Sequence, residues 1–134
     1  MIPLRHPTTV LVAGPTGCGK TEFVYKLLTT REAIQPTPQR IIFIYSEWQP
    51  AYDRMKQALQ NTIEFVKDYE PKALYESISP ETRNMFILDD QMDSENMKGN
   101  TLCKFFTQGS HHRNLTVLYI VQNLFNQDKS MRTV

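Results

Sequence analysis

At 134 residues, with 15 Lys and Arg against 14 Asp and Glu and a net charge of +1, the chain has room for one domain. It carries no global charge that advertises a nucleic-acid or membrane surface. A hydrophobic fraction of 40% and a charged fraction of 22% exclude a disordered chain, and 5 Gly with 8 Pro exclude collagen-like or low-complexity sequence. No run approaches the ~18 apolar residues of a membrane span, and Met1 to Pro7 holds no signal-peptide apolar region. Cys18 and Cys103 lie far apart and form no CxxC pair, so they read as free thiols of an intracellular protein.

In chain order, Thr9-Val10-Leu11-Val12-Ala13 is a continuous apolar run, as in a strand buried on both faces of a parallel sheet. Glu22 to Arg31 reads as a helix with Phe23, Leu27 and Leu28 on one side, and Gln35-Pro36-Thr37-Pro38 breaks the pattern. Arg40 to Tyr45 is a second buried strand. Pro50 opens a helix with Tyr52, Met55 and Leu59 at helical spacing. Ile63 to Val66 reads as a short strand and Pro71 to Ser77 as a short helix. Met85 to Leu88 is a third buried strand that runs into Asp89-Asp90. Glu95 to Gln108 reads as a helix, and Thr116 to Val121 as a fourth strand followed by Gln122-Asn123. Strands that alternate with helices imply an α/β fold, a mostly parallel sheet with helices on both faces. Such sheets place ligands at the carboxyl ends of their strands. Gly14 onwards, Ser46, Asp89-Asp90 and Gln122 all fall there.

Gly14-Pro15-Thr16-Gly17-Cys18-Gly19-Lys20-Thr21 matches the phosphate-loop pattern GxxxxGK(S/T) in full, between a strand and a helix. Its glycines let the backbone curl so that successive N–H groups face phosphate oxygens, and the following helix adds its dipole. Lys20 is placed to reach the β- and γ-phosphates of ATP, and the Thr21 hydroxyl to hold Mg²⁺. Asp89, at the end of a buried strand, is the second candidate for the metal; Asp90 is placed to orient or deprotonate the attacking water, or the two exchange roles. Either acid has the alternative of capping a following helix. Gln122 is a candidate to sense the γ-phosphate, against ordinary loop capping. Arg113 is a candidate arginine finger, against a solvated loop residue. His111-His112 lacks the spaced Cys or acidic partners of a metal site. Trp48 and Tyr52 follow the second strand, where simple packing is favoured over stacking on a base.

The segments Val12 to Thr21, Ile87 to Asp90, Gly109 to Val117 and Val121-Gln122-Asn123-Leu124-Phe125 together resemble one family. It comprises the genome-packaging ATPases of Maverick/polinton elements and adintoviruses. These are similar to the poxvirus packaging ATPase and belong to the FtsK–HerA superfamily of P-loop NTPases. The His111-His112-Arg113-Asn114 block and the following Gln122 to Phe125 segment discriminate this family from other P-loop proteins. The resemblance implies an ATP-hydrolysing motor that threads double-stranded DNA into a capsid. It implies a homo-oligomeric ring, capsid portal or vertex proteins as partners, and a virion or host-cell assembly site. It also implies a sheet in which the fourth strand lies between the phosphate-loop strand and the Asp89 strand. Lys20, Thr21, Asp89, Asp90 and Gln122 match family positions, although many relatives carry Glu where this chain has Asp90. Arg113, with Arg132 as the next candidate, would complete a neighbour's site. Lys98, Lys104, His111, His112 and Arg113 are candidates to face a pore. Family members continue past the position of Val134 with at least one more strand, so residues 1–134 are expected to be a C-terminally truncated ATPase core. Another P-loop enzyme, such as a helicase or kinase, and a remnant that binds nucleotide without turnover are the alternative readings.

Overall fold

The computed structural model describes residues 3–14, 19–89 and 114–121. Within them, β1 (Leu4–Arg5) and β3 (Ile34–Gln35) form a two-stranded parallel pair. The main sheet contains β2 (Thr9–Ala13), β4 (Arg40–Ile44), β5 (Ile63–Val66), β6 (Asn84–Asp89) and β7 (Leu115–Val121). Its order is β2-β7-β6-β4-β5, and every neighbouring pair is parallel. The late strand β7 therefore lies between the phosphate-loop strand β2 and the Asp89 strand β6, as the family resemblance implies. The expected helix over Pro71 to Ser77 is present as α3 (Pro71–Glu76), and the expected strand over Ile63 to Val66 is β5.

Alternation along these strands builds two cores. Ile41 and Phe43 of β4, Met85 and Ile87 of β6, and Leu118 and Ile120 of β7 face the helices α1 (Lys20–Thr29) and α2 (Pro50–Ala58). The intervening residues Ile42, Ile44, Phe86, Leu88, Leu115 and Val117 face the other way, toward Ile78 and the α3 side chains Leu74 and Tyr75. Helices thus cover both faces. All six residues of β6 are buried, which explains the unbroken apolar run Met85 to Leu88 between Asn84 and Asp89.

Strand β2 departs from the sequence expectation. Its burial alternates, and Leu11 is 52% exposed. Among the described residues β2 pairs with β7 alone, so it is an edge. Val10 and Val12 pack on the α1–α2 core while the outward-facing residues remain open. An apolar run does not distinguish an edge from a centre, because the distinction depends on which strands add on either side. The two-residue strands β1 and β3 were not expected, being too short to show a period. Helix α1 also starts two residues earlier than Glu22, because Gly19 takes a left-handed conformation (φ 89°) that turns the chain straight into it. The expected helix over Glu95 to Gln108 lies outside the described residues. No helix among the described residues is long and apolar enough to cross a membrane.

At the opposite end of the sheet from the phosphate loop, the His6 ring is buried between Thr116 Oγ1 and Asn114 Oδ1, each at 2.6 Å. This clasp ties the N-terminal segment to the start of β7. Thr8 N adds a 3.3 Å bond to the same Thr116 hydroxyl.

Candidate functional site

The parallel register sets the geometry at the carboxyl edge. Ala13 of β2 pairs with Val121, and Ile120 pairs with Asp89 of β6. The loop that leaves β2 and the acid that ends β6 are therefore separated by the single strand β7, roughly 10 Å in the sheet plane. Gly14 continues the ladder, its N–H donating to Val121 O at 3.2 Å. Alternation then puts Asp89 on the same face as Met85 and Ile87, the face covered by α1 and α2.

The loop closes onto α1 through Gly19, whose φ of 89° suits a residue without a side chain. No side chain caps the first turn of α1. The first-turn N–H groups of Lys20, Thr21 and Glu22 have no acceptor within a helix, and an anion is their natural partner. The Lys20 ammonium donates to the Gly14 carbonyl.

Asp89 is 5% exposed, and its side chain reaches the start of α2. Its Oδ2 accepts a hydrogen bond from the Tyr52 hydroxyl. The same oxygen accepts from Gln49 Nε2 at 3.5 Å. The other end of that carboxamide, Gln49 Oε1, accepts from the Thr21 hydroxyl at 3.3 Å. Thr21, Gln49, Asp89 and Tyr52 thus form one chain of polar contacts from α1 across α2 to β6. Gln49 and Tyr52 in this role were missed by sequence reasoning. Tyr52 shows there only as an apolar position at helical spacing, and Gln49 only as the residue before a helix-opening proline.

The residues fit a magnesium nucleotide. Mg²⁺ takes hard oxygen donors, usually one or two from protein, and fills its remaining positions with phosphate and water. Thr21 supplies a hydroxyl and Asp89 a carboxylate on one side of the sheet, connected through a single carboxamide. No cluster of three or more His, Cys, Asp or Glu able to hold a metal occurs among the described residues.

Of the sequence candidates, Gly14, Gly19, Lys20, Thr21 and Asp89 are brought to this edge. Pro15, Thr16, Gly17, Cys18, Asp90, Arg113 and Gln122 lie outside the described residues, as do His111, His112 and Arg132. Tyr52 is 1% exposed, with Phe43 at a ring-centroid distance of 4.8 Å and Phe65 at 5.3 Å, so it cannot stack on a base. Trp48 packs edge-on against Tyr45, Tyr52 and Phe65 and donates to Asp53 Oδ1 at 3.2 Å. A separate cavity of about 200 Å³ is lined by Leu27, Thr30, Ile34, Pro38, Ile41 and Leu59. It lies at the amino ends of the strands, away from the phosphate loop.

No family model matches the chain. Over 39 residues it is 44% identical to Packaging protein 1 of Human adenovirus C serotype 5, a stretch that covers 29% of this chain and 8% of that protein. Its fold is similar to the cytoplasmic domain of the Type VII secretion ATPase EccC of Thermomonospora curvata. The TM-score is 0.58 at 16% identity, over 87% of this chain and 16% of that one. The chain therefore spans a small fraction of both proteins. It shares an α/β fold with an ATPase, and a short stretch of sequence with a viral packaging protein.

Proposed function

We propose that the chain is a P-loop ATPase core that couples ATP hydrolysis to the movement of double-stranded DNA, in the manner of a genome-packaging motor. The observation that carries this reading is the convergence of Lys20, Thr21 and buried Asp89 at one sheet edge, linked through Gln49. The stretch shared with Packaging protein 1 supports the packaging context, and the fold shared with a secretion ATPase supports the nucleotide chemistry.

In this reading the loop from Gly14 to Gly19, including Pro15, Thr16, Gly17 and Cys18, wraps the phosphates with backbone N–H groups. Lys20 exchanges its Gly14 carbonyl for phosphate oxygen and neutralises charge that builds during transfer. Thr21 and Asp89 hold Mg²⁺. Held there, the ion would supply Lewis-acid withdrawal of charge from the phosphates. Asp90 orients the attacking water and accepts its proton, and Gln122 reads the γ-phosphate. Arg113, or else Arg132, reaches a neighbouring protomer's phosphates, which requires a homo-oligomeric ring. Duplex DNA would pass through that ring toward capsid portal or vertex proteins. With a net charge of +1, the grip on DNA comes from a local surface repeated around the ring.

The test is ATP turnover by the purified chain with and without duplex DNA. DNA-stimulated hydrolysis that Lys20→Ala abolishes is the expected result. Hydrolysis indifferent to DNA would remove the motor function. Tight ATP binding without phosphate release would point to a nucleotide-binding module, and phosphoryl transfer to a small acceptor to a kinase.

A further inference from the structure

Gln49 occupies the N-cap position of α2, with φ −121° and ψ 149°, yet its side chain caps nothing. Ser, Thr, Asp or Asn at this position would accept a first-turn N–H. The Gln49 carboxamide is turned away from its own helix and bridges the two candidate metal-binding side chains, at 3.3 Å to Thr21 and 3.5 Å to Asp89. The sense of these two bonds matters. The N–H of Gln49 presents positive charge density to the carboxylate, as a cation or its bound water would. The Gln49 oxygen meanwhile takes the Thr21 hydroxyl proton and fixes that hydroxyl's orientation.

We propose that Gln49 is a latch on the cation site, a neutral substitute that holds Thr21 and Asp89 together and is displaced when a magnesium nucleotide binds. The proposal rests on the reading of Thr21 and Asp89 as the metal pair. Both latch bonds are at the long end of the hydrogen-bond range, so they yield to a divalent ion. Release of Gln49 leaves α2 anchored by other contacts. Arg54 pairs with Glu22 of α1 and lies 4.6 Å over the Tyr25 ring, and Tyr52 stays in the core. Trp48, adjacent in sequence, is 42% exposed and is the single tryptophan of the chain, so its emission reports on this turn.

The experiment titrates Mg²⁺ into the protein with a fluorescent ATP analogue bound, following analogue and Trp48 emission separately. Gln49→Ala and the near-isosteric Gln49→Met each remove the latch, and because Gln49 caps nothing, neither removes a helix cap. Both are expected to tighten Mg²⁺ binding by roughly two- to tenfold, the worth of one weak competing hydrogen-bond pair. Affinity for the analogue without Mg²⁺ should stay unchanged. In the wild type, Mg²⁺ should shift Trp48 emission. If Mg²⁺ affinity is unchanged or weaker in both variants, or Trp48 is silent, the latch is overturned. Asp89→Asn separates the two readings. If it weakens Mg²⁺ binding while the Gln49 variants do nothing, only the latch falls. If wild type and Asp89→Asn behave alike, or no nucleotide binds, the assignment of the metal pair itself falls.

Discussion

Asp89 is the residue on which most of the site turns. A carboxylate at 5% exposure must be compensated by donors or a cation, because burial of an unpaired charge costs several kcal/mol. The Tyr52 hydroxyl supplies one such donor from a ring that also fills the core beside Phe43 and Phe65. Tyr52→Phe keeps the ring and deletes the donor. It is expected to lower stability by about 1.5–3 kcal/mol, the range for a hydrogen bond to a charged group, as read by urea unfolding. A loss below about 0.5 kcal/mol, the scatter of surface changes, would mean that the carboxylate is satisfied without Tyr52. Asp89→Asn retains volume but removes the charge proposed to hold the cation. It should weaken Mg²⁺-dependent nucleotide binding roughly tenfold or more and leave Mg²⁺-independent binding nearly unaltered, as equilibrium titration would show.

Among the elements, β4 and β2 make a useful contrast. Strand β4 lies between β5 and β6, with Phe43 on the α1–α2 face at 0% exposure. Strand β2 is an edge among the described residues, with Leu11 half in solvent. Phe43→Ala should cost about 3–5 kcal/mol through lost burial and the cavity left under α2. Leu11→Ala should change stability by no more than about 0.5 kcal/mol. Chemical denaturation of the two variants checks both values. Equal effects would show that the outer face of β2 is covered in solution. Helices α1 and α2 are also joined through Arg54, which pairs with Glu22 and stacks on Tyr25. Because the pair is about half exposed on each side, it adds orientation more than stability.

For the molecule as a whole, the sheet is a platform that brings Gly14, after β2, and Asp89, at the end of β6, to one edge on either side of β7, with helices packed on both faces. A ligand that binds this edge stabilises the folded state by mass action. At a concentration of about 100 times its dissociation constant, magnesium ATP should add about 2.7 kcal/mol, which raises Tm by roughly 10 °C for a domain of this size. The expected thermal shift is lost in Lys20→Ala and reduced when Mg²⁺ is chelated. A shift that survives Lys20→Ala would place the nucleotide elsewhere.

Much of this protein was legible in its sequence because the signals are local. The apolar runs over Arg40 to Tyr45 and Met85 to Leu88 announce buried strands, Pro50 announces a helix start, and Gly14 to Thr21 carries a phosphate-loop pattern, each through residues a few positions apart. The alternation of strands with helices was enough for the α/β class. The placement of Asp89 at a strand's carboxyl end also follows from sequence alone. What only the tertiary structure decided is whatever depends on contacts between distant segments. The exposure of β2, the Tyr52 hydroxyl on Asp89 and the Gln49 bridge from Thr21 to Asp89 are of this kind, whereas the place of β7 between β2 and β6 was legible through the family resemblance. Their partners are separated by tens of residues, and no period or local motif encodes which side chains meet when the sheet closes and the helices pack across it.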